Sequence, residues 1–475
     1  MRYYHFLGIA GTAMASVAAA LAARGEAVGG SDAAVYPPMN EFLSNRGIEY
    51  RDGYAAGNID DATLRAKALH ADPLFVIGNA LSRGNPEVEY ILTNKLEYTS
   101  LAALVGAELI QGRTSLVISG THGKTTTASL AAWVLETAGQ SPGFLIGGIT
   151  NNFGEGCRCA AADGLFVSEG DEYDTAFFDK RSKFVHYRPD LLIVNNIEFD
   201  HADIFSSIDD VVRSFRQVVN LVPANGLLLF NGDDERCHAL ASTSHAPVES
   251  FGIGEQNDWQ AVDVAHDGEG MRFVALRRTA SQLSSQEFRI PLSGTFNVRN
   301  ALGVVAAARR LGVSMHDIQH AFDTFRGVRR RMEIVAEQNG IIVIDDFAHH
   351  PTAVRETLAA LRARYADRRI WALFEPRSNT TTRNIFQQEL AEAFDAADEV
   401  VIGSVNRPER YSPAEILDVQ QLLADIRKRG SRARSVADAE GMVALARSES
   451  RPGDVVVFLS NGSLGAAARK VLSNP

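Results

Sequence analysis

Cysteine is scarce in this chain, with three residues in 475. Cys157 and Cys159 stand too close together for an ordinary bridge, and no matching Cys or His pair accompanies them. A disulfide scaffold and a zinc ribbon are therefore excluded, and the thiols read as free in a reducing compartment. Excess positive charge is lacking too. The formal net charge is -11, which argues against a general nucleic-acid binder, since that needs a basic face. Local Arg and Lys can still hold small anionic substrates. Long apolar runs are missing: no stretch reaches transmembrane length, and the chain starts on a strand-like YYHFLG, without a signal-type apolar core. These absences predict a cytoplasmic protein with no membrane insertion. There are no internal repeats and no low-complexity linker.

What is present is the mixture of a soluble globular enzyme, 45% hydrophobic and 22% charged. The length predicts two to four domains. A strand at the start runs into a glycine turn, an Ala-rich helix that stops near Gly25, and a short strand around Ala27 and Val28 leading to Ser31 and Asp32. This is a βαβ opening, but Gly8-x-x-Gly11 is not the dinucleotide fingerprint, so NAD is a weak expectation. PLFVIG predicts another strand, ending in a polar loop with Asn79, Ser82 and Asn85. A second α/β block begins near Arg113. Residues 225 to 292 look irregular and strand-rich, and NVRNALGVVAAARRLGV reads as a helix. A third block after FRGVRRRME alternates four strand-like runs with helical stretches. Cuts near 111 and 329 follow.

The strand SLVIS runs into SGTHGKTTT and then a helix. The strict P-loop pattern needs a glycine at Ile118, whereas here the first glycine is Gly120. The physical logic survives: a glycine turn leaves backbone N–H groups free at a helix N-terminus, where anions are favoured. Lys124 adds charge for phosphates and the Thr125 hydroxyl suits Mg²⁺. That ion needs hard oxygen ligands, and SEGDEYD offers Glu169, Asp171, Glu172 and Asp174, with Glu169 nearest the strand end. His201 reads as structural, because imidazole is not a preferred magnesium ligand. Arg326, Arg329, Arg330 and Arg331 form either a solvated face or a phosphate clamp. DDFAHHPTAV places Asp345, Asp346, His349 and His350 between a strand and a helix opened by Pro351, where a buried acid could accept ribose hydroxyls. A zinc reading of its His pair lacks further ligands.

Together GIAGTAM, GTHGKT, NNIEFDHAD and DDFAHHPT resemble the Mur ligase family, ATP-dependent amide-forming enzymes of peptidoglycan assembly, over nearly the whole chain. The resemblance implies an α/β, three-domain Mur ligase architecture. Residues 1–110 would be a Rossmann-like UDP-sugar domain, 111–328 a P-loop-type central ATPase domain, and 329–475 a Rossmann-like peptide-binding domain. It implies ATP and Mg²⁺ as cofactors. Gly120, Thr121, His122, Gly123, Lys124, Thr125 and Thr126 would hold the nucleotide with Asn297, Asn300, Arg331 and Asp346. Thr125, Glu169 and His201 match metal positions, and Lys124, Glu169 and His201 would be catalytic. Gly8, Ala10, Gly11, Thr12, Ser31, Asp32 and Asn85 would meet the UDP part, and Arg377 the amine substrate's carboxylate.

SDAAVYPPM, GNALSRGNP, EYDTAFFDKRSKFVHYRP and EPRSNT point more narrowly, to UDP-N-acetylmuramate and the tripeptide L-alanyl-γ-D-glutamyl-meso-diaminopimelate as partners. The alternative within the family is L-alanine as the amine. A P-loop ATPase without ligase activity is the alternative of another class. Two departures stand out. Many members of the family carry a carbamylated lysine, but no lysine lies between Lys183 and Lys428 here, an absence shared with the alanine-adding branch, and Phe296 stands where relatives often carry His.

Overall fold

The computed structural model describes residues 2–33, 35, 39–268, 270–279, 283–462 and 464–472. Ala34, Tyr36, Pro37 and Pro38 of the SDAAVYPPM stretch, and Ser463 of the SNGSLG stretch, lie outside the described residues. Three main sheets follow one another along the chain.

The first sheet contains β1 (Arg2–Leu7), β2 (Ala27–Asp32), β3 (Glu49–Asp52), β4 (Asp72–Ile77) and β5 (Tyr98–Ser100), in the order β3-β2-β1-β4-β5. Every pairing is parallel. The run YYHFL of β1 is wholly buried, as a central parallel strand must be. Strand order reverses between β1 and β4, so the turn of residues 8–11 lies where ligands of such sheets collect. Strand β2 runs beyond the expected Ala27 and Val28 to Asp32. Gly29 and Gly30 resemble a turn in sequence but are close-packing positions. A Cβ on Gly30 would lie 2.4 Å from the Phe6 carbonyl oxygen.

The second sheet has ten strands. They are β6 (Thr114–Ser119), β7 (Gly143–Leu145), β8 (Cys157–Arg158), β9 (Leu165–Gly170), β12 (Leu191–Val194), β13 (Leu227–Asn231), β14 (Val248–Gly252), β15 (Trp259–Asp267), β16 (Gly270–Arg278) and β17 (Leu283–Ile290). Between them β10 (Asp174–Ala176) and β11 (Asp179–Ser182) form a separate hairpin. The order is β17-β16-β15-β14-β13-β12-β6-β9-β7-β8. The strand-rich region expected at 225–292 is the outer half of this sheet, with an antiparallel meander β15-β16-β17. The helix Lys124–Thr137 after β6 is buried nearly all round, and Gly139 at φ 77° follows its end. An apolar cluster runs from Tyr4, Phe6 and Val17 to Val117, Phe166 and Phe215, so the first and second sheets share a core.

The third sheet has β18 (Glu333–Gln338), β19 (Ile341–Asp346), β20 (Ile370–Phe374), β21 (Glu399–Ile402), β22 (Arg432–Ser435) and β23 (Val455–Leu459), in the order β18-β19-β23-β20-β21-β22. The four strands legible in the sequence are the inner ones. The two missed, β18 and β22, are edge strands: β22 is RARS, with no apolar run, and β18 carries only the short run Ile334–Ala336 between charged and polar residues, none of it buried. Alternate residues of the inner strands feed two cores, Ile344, Phe374 and Val457 on one face and Val343, Trp371 and Phe458 on the other. Among the described residues these clusters contain nothing from before residue 330, and polar contacts join this block to the second. Thr380 donates to Asp200 Oδ1 at 2.6 Å, Asn379 to Asp203 Oδ2 at 2.8 Å and Thr352 to Glu198 Oε2 at 2.6 Å. All three cysteines are free. No helix among the described residues is long and apolar enough to cross a membrane.

Asp345, near the end of β19, is 3% exposed. Burial pushes its carboxyl up to about 6, against the pull of Arg330. The folded state therefore holds a proton that the unfolded chain releases near pH 4, and ionisation at higher pH costs on the order of 3 kcal/mol. Asp345→Asn is expected to raise the melting midpoint at pH 8 and leave it unchanged at pH 4. Thermal melts of both proteins at the two pH values check this.

Candidate active site

Three strand ends meet at one edge of the second sheet. Ser119 of β6 pairs with Gly170 of β9 and with Val194 of β12. The glycine turn, the acidic run and Asn195–Asn196 therefore leave the sheet side by side. The two asparagines were not singled out in the sequence, although they follow directly on the apolar LLIV. They shape the turn: Thr121 N–H donates to the Asn196 carbonyl at 3.1 Å, and His122 N–H to Asn196 Oδ1 at 2.7 Å. Gly123 sits at φ 81°, and a Cβ there would lie 2.8 Å from Asn300 Oδ1. The backbone N–H groups thus open the helix Lys124–Thr137 with no side-chain cap.

Lys124 folds back over this turn. Its Nζ donates to the Gly120 carbonyl at 2.7 Å and to Glu172 Oε2 at 2.7 Å. Burial alone would lower its pKa, but Glu172 and Asp171 outweigh this and raise it, so the ammonium stays charged. Glu172, 1% exposed, also takes His201 Nε2 at 3.1 Å. Sequence reasoning placed Glu172 among four candidate acids and preferred Glu169. The structure gives both a place. Glu169 accepts from the Thr125 hydroxyl at 3.0 Å and from Gly147 N–H at 2.7 Å.

His201 stands in left-handed backbone at φ 57°, stacked on Tyr173 at 3.8 Å. Its Nε2 faces Glu172 rather than Glu169. Burial acts to lower its pKa, and Glu172 and Asp200 raise it above the usual histidine value. Two oxygen donors 3.0 Å apart, Thr125 Oγ1 and Glu169 Oε1, fit a small hard cation such as Mg²⁺. The imidazole does not belong to that donor class.

The arginine cluster divides. Arg326 and Arg329 are exposed, while Arg331 crosses from the third block and donates from Nη2 to Thr125 Oγ1 at 2.9 Å. Asp346 lies behind it, buried. Its two carboxylate oxygens accept Met332 N–H and Ala348 N–H, both at 2.7 Å, which fixes the loop that carries Arg331. Its carboxylate is thus a framework element of the pocket wall.

These groups enclose a cavity of about 520 Å³, lined by residues 121–126 with Glu169, His201, Asn297, Asn300, Arg331 and Asp346. Asn297 and Asn300 come from the helix Thr295–Arg310 and bond each other at 3.2 Å. The buried Asn195 Oδ1, also on the wall, has no hydrogen-bond partner. A polar chamber with a buried lysine, free helix N–H groups and a glycine where a Cβ would intrude fits a nucleotide's phosphates. Phe296 lines it too, where His was the usual residue of the resemblance.

The predicted sugar-nucleotide residues lie elsewhere, and none lines this cavity. Gly8, Ala10, Gly11 and Thr12 form the turn above the first sheet. Gly11 and Thr12 are exposed at the N-terminus of the helix Thr12–Ala23, and Asp32 Oδ2 accepts Ala10 N–H at 2.9 Å. Ser31 corrects the expectation. Carried inside by β2, Ser31 is fully buried, and its hydroxyl donates to Glu87 Oε2 at 2.5 Å. The Asn85 side chain caps the helix Pro86–Thr93, accepting Glu87 N–H and Val88 N–H. Ser31 thus presents no free polar group to a ligand, whereas the cap uses only the side-chain oxygen of the half-buried Asn85. Arg377 follows β20 and lies half-buried against Gly462, next to the cavity residue Asn461, with Glu375 at 3.5 Å.

Fold and site together define a three-part α/β nucleotide-binding enzyme. The chain belongs to the Mur ligase family. Residues 3–113 match its catalytic domain, 118–308 the Mur ligase middle domain and 330–462 the Mur ligase glutamate ligase domain. It is thus an ATP-dependent ligase. The chain is 39% identical over 473 residues to the UDP-N-acetylmuramate–L-alanyl-γ-D-glutamyl-meso-2,6-diaminoheptandioate ligase of Haemophilus influenzae, with 99% of each covered. It is 35% identical to a UDP-N-acetylmuramate–L-alanine ligase of Roseiflexus sp., covering 97% of this chain and 96% of that one. A solved murein peptide ligase from Psychrobacter arcticus is similar at a TM-score of 0.73 and 33% identity, covering 99% and 98% of the two chains.

Gly123→Ala puts a methyl group against Asn300 and forces alanine into left-handed backbone. The Michaelis constant for ATP is expected to rise at least about tenfold with unchanged circular dichroism. Steady-state kinetics over a range of ATP concentrations check it.

Proposed function

We propose that this enzyme joins the lactyl carboxylate of UDP-N-acetylmuramate to the free amine of L-alanyl-γ-D-glutamyl-meso-diaminopimelate, a salvaged cell-wall peptide. The observation that carries this reading is 39% identity, end to end, to a ligase named for those two substrates. The alanine-adding ligase, at 35%, supports the second reading, in which the amine is L-alanine.

A carboxylate oxygen is a poor leaving group, so the acid must be activated before an amine can displace it. ATP gives its γ-phosphoryl group to a carboxylate oxygen, leaving ADP and an acyl phosphate. The amine lone pair attacks the carbonyl, the amine loses a proton, and phosphate leaves with the electrons of the C–O bond. In this reading residues 120–126 cradle the phosphates, and Lys124 and Arg331 neutralise charge on the group in transfer. Thr125 and Glu169 hold Mg²⁺, which supplies charge neutralisation there when bound. His201 serves through Glu172, steadying the carboxylate that fixes Lys124. Asn297 and Asn300 face the base. The turn of Gly8, Ala10, Gly11 and Thr12 takes the UDP group, held in shape by Asp32, and Arg377 takes a carboxylate of the peptide. We assign these tasks to domains at 1–110, 111–328 and 329–475. An acyl phosphate hydrolyses in open water, so the cavity must be closed during transfer.

The deciding assay supplies UDP-N-acetylmuramate, ATP and Mg²⁺ with either tripeptide or L-alanine and follows phosphate release. The expected result is a kcat/KM for the tripeptide at least about tenfold above that for L-alanine. Preference for L-alanine would move the assignment to the second reading. Arg377→Ala is expected to raise KM for the peptide about tenfold or more and to leave that for ATP within about twofold. An effect confined to ATP removes Arg377 from the peptide site.

A further inference from the structure

The paired histidines after β19 lack further metal ligands in the sequence, but the fold supplies them. His350 reaches from the third block to Glu198 and to His122 of the glycine turn. One ligand atom from each lies within 4.8 Å of the other two. His122 Nε2 is 3.4 Å from Glu198 Oε2, and His350 Nδ1 is 3.5 Å from the same oxygen. Zinc bonds of about 2.0–2.1 Å in tetrahedral array set ligand atoms roughly 3.3–3.4 Å apart, so the two edges that meet at Glu198 match a zinc site, and the third lies within 4.8 Å.

The surroundings are arranged in the same sense. His122 Nε2 is buried and has no hydrogen-bond partner. His350 Nε2 lies 3.2 Å from the Phe199 carbonyl oxygen, which accepts only if that nitrogen carries the proton; the lone pair is then on Nδ1, where it accepts the Thr352 N–H at 3.3 Å, a long contact that a bound ion would replace. A backbone carbonyl behind a ligating histidine is the usual means of setting its tautomer. Glu198 is oriented likewise, since Thr352 donates its hydroxyl to Oε2 at 2.6 Å. Two imidazoles and one carboxylate suit zinc-like ions, whereas the hard pair Thr125 and Glu169 suits Mg²⁺.

We propose that His122, Glu198 and His350 form a second cation site, which takes a borderline transition ion of the zinc type and pins the glycine turn to the third domain. His122 belongs to the turn that the proposed function gives to ATP, and His350 stands at the N-terminus of the helix Pro351–Arg364. The ion therefore bridges the two parts that must separate for substrates to enter and products to leave. Zinc slows turnover in the presence of excess Mg²⁺. Only this kinetic consequence rests on the proposed function; the binding does not.

The test titrates the metal-stripped full-length enzyme with Co²⁺, in excess Mg²⁺, and then displaces it with Zn²⁺. One Co²⁺ per chain with the intense visible bands of four-coordinate cobalt is expected, lost on adding one equivalent of Zn²⁺. His350→Asn keeps a helix-capping side chain and removes the imidazole, and Glu198→Gln removes the charge. Each should weaken Zn²⁺ at least about tenfold. Thr125→Ala should leave the affinity unchanged. Weak, six-coordinate cobalt spectra, or Zn²⁺ affinity equal in wild type and both variants, overturn the site. If binding holds but zinc leaves turnover untouched, the bridging consequence falls.

Discussion

The parallel alignment of β6, β9 and β12 is the constraint on which this active site depends. Parallel strands end together, and their N–H and C=O ladders fix that register to within a residue. Three unrelated stretches therefore emerge at one edge: a glycine turn, an acidic run and two asparagines. Each contributes what the others lack. The turn offers N–H groups and a lysine, the acidic run offers carboxylates, and the asparagines hold the turn in a shape only glycine can follow.

The charges placed there are buried, and buried charge is tolerable only when paired. Lys124, Glu172 and His201 form one such chain, and Arg331 on Thr125 adds a cation from another domain. Polar contacts, not a shared apolar core, carry the third block's attachment to the segment 198–203. Such contacts can be exchanged for water at modest net cost, whereas an apolar core cannot be opened cheaply. The first and second sheets share a core that the third does not join. This division suits an enzyme that must open to bind and close to exclude water.

Strands and helices with a strong apolar signature were legible in the chain: β1, β6, β9, β12, the inner strands of the third sheet, and the helices after β1 and β6. What escaped were elements without that signature. The edge strands β18 and β22 are charged, and Gly29 and Gly30 imitate a turn while lying inside β2. Ser31 was misplaced for that reason, since its position follows from how closely β1 and β2 pack. The Asn85 side-chain oxygen caps the helix it precedes, a local role that a polar loop residue does not announce in sequence.

The chemistry of the cradle was determined by the sequence alone, because glycines, lysine and threonine occupy consecutive positions whose geometry is local. So was the family, whose motifs run the length of the chain. The choice of Glu172 as the partner of Lys124, the division of the arginines into exposed and inserted members, and the meeting of His122 with Glu198 and His350 were decided only in three dimensions. Each joins residues tens to hundreds of positions apart. Distances of that kind are set by strand order and domain contact, which no spacing within the chain encodes.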